Sequence, residues 1–95
     1  MVTHIVLFKF ASTADAEIAR KKLLSMAGKV PSLQAIEVGL DYIHSERSFQ
    51  LGLITRHESR EALEAYRVDP LHVEVGAFIR EKSTGAASVD FEIAD

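Results

Sequence analysis

Apolar and polar positions along the chain change their period several times, and each change marks an element. Val2 to Phe10 is dense in β-branched and aromatic residues and predicts a strand. Its even positions, Val2, His4, Val6, Phe8 and Phe10, make one face; Thr3, Ile5, Leu7 and Lys9 make the other. Both faces are largely apolar, so this strand calls for cover on both sides. Ser12 with Asp15 has the spacing of a helix-opening capping pair. The helix it opens is predicted to run to about Ala27, with Ala16, Ala19, Leu23, Met26 and Val30 as its apolar stripe. Gly28 and Pro31 end it.

A second strand is predicted over Leu33–Asp41, with Gln34, Ile36, Val38 and Leu40 on one face. A polar connection over Tyr42–Arg47 leads to a third strand, Phe49–Arg56. Ser59 then opens a short helix whose inward residues are Ala62, Leu63 and Tyr66. A further helix runs from Pro70 to about Lys82. Ser83-Thr84-Gly85 is read as a turn. Ala87, Val89, Phe91 and Ile93 then alternate with Ser88, Asp90 and Glu92, the pattern of a half-buried strand whose acidic residues face solvent. The order βαββαβ predicts an α+β, ferredoxin-like fold: a four-stranded antiparallel sheet with helices on one face. The other face is then bare, and an apolar bare face predicts a homodimer packed sheet to sheet.

Composition narrows the function classes. The 95 residues, taken as one domain, are 47% hydrophobic and 26% charged, enough to bury a core. Net charge is −3 with no basic run, which argues against nucleic acid as a partner. No cysteine is present, so disulfides, thiolate metal sites and a cysteine nucleophile are excluded. The longest apolar run, Ile5-Val6-Leu7-Phe8, is too short to cross a membrane, and the chain enters a strand pattern at once, leaving no room for a signal peptide. A cytoplasmic protein is expected.

Chemistry-bearing residues gather at Tyr66-Arg67-Val68-Asp69-Pro70-Leu71-His72. Asp69-Pro70 is a helix start, an N-cap acceptor followed by a proline suited to the first helical position. His72 falls in the first turn, and Gly76 lies one turn on over the same face, where it leaves space. His4, Val6 and Phe8 can floor that space from the first strand. His72 is the candidate general base and Tyr66 the candidate hydroxyl donor to a carbonyl oxygen. No two metal-ligating residues of the corner stand at i,i+4, so no metal or cofactor is expected. His44 and His57 fall in loop-like settings and are read as solvated.

Several stretches resemble the stress-responsive α/β-barrel (Dabb) family: Thr3-His4-Ile5-Val6-Leu7-Phe8-Lys9-Phe10, Gly39-Leu40-Asp41, Ser59 to Tyr66, Asp69-Pro70-Leu71-His72 and Val89-Asp90-Phe91. The resemblance covers essentially the whole chain and implies a dimeric α/β barrel. In the family's plant polyketide-cyclase branch, a tyrosine and a histidine after a proline line a pocket; they match Tyr66 and His72, and a first-strand histidine matches His4. The chain has Asp69-Pro70 where the family commonly has His-Pro, which keeps the cap and removes an imidazole. It also lacks the aromatic residues which that branch carries in its first helix. Two expectations follow: a stress-responsive protein binding a small apolar carbonyl compound with cyclase- or lyase-type acid–base chemistry, or a non-catalytic stress protein whose product is the assembly itself. An apolar space of ~300 Å³ or more behind His72 would favour the first.

Overall fold

The computed structural model describes residues 1–94. Its elements are β1 (Val2–Phe10), α1 (Thr13–Leu24), β2 (Ala35–Leu40), β3 (Leu51–His57), α2 (Arg60–Val68), α3 (Pro70–Lys82) and β4 (Ser83–Glu92). The strands form one antiparallel sheet in the order β2-β3-β1-β4. This is the ferredoxin-like arrangement, with the second helical segment broken into α2 and α3.

The core forms between the three helices and one face of the sheet. It joins Ala16, Ala19 and Leu23 of α1, Leu63 and Tyr66 of α2, and Val75 and Ile79 of α3 to Val2, Phe10, Leu51 and Leu53. The α1 helix is shorter than its pattern predicts. Ser25 caps it, with its hydroxyl on the Lys22 carbonyl at 2.6 Å, and Gly28 takes φ +74° in the turn that follows. The apolar stripe nevertheless continues past the helix, because Met26 and Val30 are as buried as Ala16.

The opposite face carries Ile5 and Leu7 of β1, Ile54 of β3, and Val89 and Phe91 of β4, aligned across the sheet by register. No helix covers it. Val89 is 52% and Phe91 38% exposed, so the apolar side of β4 is not the half-buried face its alternation predicts.

The predicted turn at Ser83-Thr84-Gly85 is also absent. Ser83 ends α3, its N–H on the Ile79 carbonyl, and at once begins β4 by pairing with Phe10. Gly85 pairs with Lys9, so Thr84 is an extra residue accommodated as a bulge.

Candidate functional site

The corner between α2 and α3 is built by Asp69. Its N–H bonds the Tyr66 carbonyl at 3.2 Å, closing α2, while its Oδ1 accepts from Leu71 N at 2.9 Å, opening α3. The cap is the one the sequence predicts. It places His72 where its Nδ1 lies 3.1 Å from the Arg67 carbonyl oxygen. A carbonyl only accepts, so Nδ1 carries the proton and donates, and Nε2 keeps the free lone pair. Burial lowers the His72 pKa from its ordinary 6.5; the Arg67 carbonyl opposes this without reversing it. The ring is therefore a neutral base near pH 7.

Between α3 and the sheet lies a cavity of about 240 Å³. His4, Val6 and Phe8 line it from β1, and His72, Gly76 and Arg80 line it from α3. A methyl group at Gly76 would meet nothing within 4 Å, so the glycine does leave open space there. Five of the six predicted site residues thus border one cavity.

Tyr66 stands apart from them. It is not among the lining residues and is only 1% exposed. Its ring packs against His72 at 4.2 Å and His57 at 4.9 Å between centroids, with His4 at 6.4 Å. The phenol is buried without a hydrogen-bond partner among the described residues, and burial pushes its pKa up to about 12. It remains a protonated donor with nothing to donate to.

Two residues of this neighbourhood are read differently from sequence. His57 is not solvated; it is 0% exposed. Its Nδ1 donates to the Ser32 carbonyl at 2.8 Å, and its Nε2 lies 2.9 Å from the Thr55 hydroxyl. The reason is that β3 runs one residue further than predicted, so His57 continues the inward face of Leu51, Leu53 and Thr55. That parity was the available signal. Asp90 is exposed as expected, but it has a partner that the sequence did not show. It sits directly opposite His4 in the β1–β4 register and bonds His4 Nδ1, with Arg67 Nη2 3.7 Å from its other oxygen. Its side chain lies toward the helices, away from the bare face, and nothing short of the strand register could have revealed this. Glu92 and His44 are exposed as expected. Among the described residues, no group of three or more His, Cys, Asp or Glu is placed to hold a metal ion.

Acid should weaken the fold through two of these imidazoles. Burial lowers the pKa of both His57 and His72 below 6.5. Below that value the unfolded chain takes up protons which the folded chain refuses, so stability falls as pH decreases. Urea melts between pH 7.5 and 5.5 should show the midpoint dropping from about pH 6.5 downward. A flat or rising midpoint would contradict the buried neutral rings.

The chain as a whole is similar to known proteins. A family model described as the stress responsive A/B barrel domain (Dabb) matches residues 2–93. A dimeric protein of unknown function and ferredoxin-like fold from Bacteroides fragilis is 25% identical, with a TM-score of 0.84 over 97% of this chain and 95% of its own. A dimeric ferredoxin-like protein of unknown function from Thermobifida fusca is 19% identical, with a TM-score of 0.86 over 97% and 90%. The hydroxynitrile lyase of Passiflora edulis is 13% identical, with a TM-score of 0.84 over 99% and 94%; at that identity the likeness is one of fold. No curated protein matches the chain.

Proposed function

The chain belongs to the stress responsive A/B barrel domain family, and from that premise we propose that it is a one-domain homodimer whose protomers each bind a small apolar carbonyl compound. The reaction class is acid–base chemistry of the cyclase or lyase type. The observation that carries this reading is the state of His72. Its Nδ1 is committed to the Arg67 carbonyl, it borders an apolar cavity, and burial keeps it neutral. Such a ring removes a proton from a carbon beside a carbonyl. Tyr66 is the complementary donor in this reading: its hydroxyl has no partner among the described residues and, because the residue does not border the cavity, it would reach a ligand oxygen through a water. His4, steadied by Asp90, takes the second imidazole position, with Val6 and Phe8 as the floor beside Gly76.

The dimer reading rests on the uncovered face of Ile5, Leu7, Ile54, Val89 and Phe91, and on the dimeric description of relatives of the same fold. The alternative is a non-catalytic stress-related assembly. It draws on the cavity's volume, about 240 Å³, below the usual range for ligand sites of ~300 Å³ upward.

Two variants separate the readings. His72→Ala and Tyr66→Phe should each weaken binding of an aromatic carbonyl compound by about tenfold, or ~1.4 kcal/mol, and non-additively. Tyr66→Phe should not destabilise the fold, because it removes a buried hydroxyl that has no partner. Binding is read by calorimetry and by the His72 ring resonances. If a broad set of carbonyl compounds leaves those resonances unmoved, the assembly reading takes over.

A further inference from the structure

The cavity has two chemically different ends. At one end stand the imidazoles of His4 and His72. The middle is apolar, walled by Val6, Val75 and Ile79 beside the gap at Gly76. At the other end stand Arg80 and Ser83, near Phe8 and its register partner Ala86. His72 and Arg80 are separated by eight residues of α3, or ~12 Å at 1.5 Å of rise per residue. About 240 Å³ spread over such a length is a slot for one narrow molecule lying along the helix.

Among the described residues, Arg80 is the one Lys, Arg, Asp or Glu that borders this slot. Arg56, Arg60 and Arg67 each pair with a carboxylate. Arg80, like Arg20 and Arg47, has no such partner among the described residues, and of these three it alone borders the cavity; no described Asp or Glu borders it. A basic residue in the last turn of a helix is often there only for the helix dipole. Lys82 also occupies that turn, so the dipole does not depend on Arg80, and Lys82 does not border the cavity.

We infer that the ligand of this cavity is a keto acid: its carbonyl lies at the imidazole end, and a carboxylate at its far end is held by the Arg80 guanidinium beside the Ser83 hydroxyl. This rests on the proposed carbonyl-binding reading and adds the charge and length of the molecule. The apolar middle sets the spacing between the two polar groups. A planar guanidinium offers a carboxylate paired N–H donors, which an ester cannot match. Burial lowers the His72 pKa, so that ring adds no competing cation at the other end.

The test uses para-acetylbenzoate, its methyl ester and acetophenone, with the intact protein and the variants Arg80→Gln and Lys82→Gln. Affinity is measured by calorimetry, and occupancy by the His72 ring resonances. The acid should bind the parent about tenfold or more tightly than the ester, a gap of ~1.4 kcal/mol. Arg80→Gln should remove that gap, and Lys82→Gln should preserve it. Equal affinity for acid and ester, or a gap that survives Arg80→Gln, overturns the inference. If the neutral ketones shift His72 while the acid binds no better, the carbonyl reading stands and the keto acid falls. If none of the three shifts His72, both fall together.

Discussion

Replacing Leu7 by glutamate should turn a dimer into a folded monomer. Leu7 lies on central strand β1, in the middle of the uncovered face, opposite Gly52 on one side and Ala87 on the other. In the single chain it is 37% exposed, so a carboxylate there keeps its water and the fold has no reason to fail. In a sheet-to-sheet dimer the two-fold axis buries this position twice, once in each copy. An unpaired buried charge costs ~3–5 kcal/mol, and two like charges facing each other cost more. Dissociation should strengthen by at least ~10³-fold, since each 1.4 kcal/mol is a factor of ten. At micromolar concentration the parent should sediment at twice the chain mass of 10.5 kDa and the variant at that mass, with unchanged far-ultraviolet dichroism. A parent that sediments as a monomer, or a variant that stays dimeric, would remove the sheet face from the argument.

The second large effect is expected at His57. Truncation to alanine leaves a hole beneath Tyr66 and strips the Ser32 carbonyl and the Thr55 hydroxyl of their partner. Lost packing and two unpaired polar groups together should cost ~3–5 kcal/mol. His44, exposed in the β2–β3 connection, is the control, and His44→Ala should stay within ~0.5 kcal/mol of the parent. Denaturant midpoints with an unchanged slope give the comparison. If His57→Ala behaves like His44→Ala, the buried double bond of the imidazole is not made.

The residues that sequence reading placed well are those whose signal is local. A stripe at helical spacing, an aspartate before a proline, and a strand apolar on both sides each state their own environment. They led to α1, to the cap at Asp69, and to His72 and Gly76 on one cavity with His4, Val6 and Phe8. What was missed depends on partners far along the chain. Asp90 looks like any acidic residue on an alternating strand until β4 is set against β1, and then it meets His4. His57 looks like a loop histidine until β3 is extended by one residue. Tyr66 was expected on the cavity because it lies inward on α2, but inward there means behind His72. Periodicity distinguishes two faces of an element without saying what each face will touch.

The bulge at Thr84 has a meaning for how this chain can change by descent. Since side chains on a strand alternate, one residue more or less exchanges its two sides. Thr84 is one residue more than a regular ladder needs between the Phe10–Ser83 and Lys9–Gly85 pairs. Losing it would leave those two pairs adjacent, with Val89 still opposite Ile5 and Asp90 still opposite His4. A length change at the bulge is therefore absorbed there, whereas the same change between Gly85 and Asp90 would carry Val89 and Phe91 toward the helices and Asp90 away from His4. Descendants of this sequence are free to gain or lose a residue where α3 passes into β4, but the count from Gly85 to Asp90 is held by the cavity and the association surface at once.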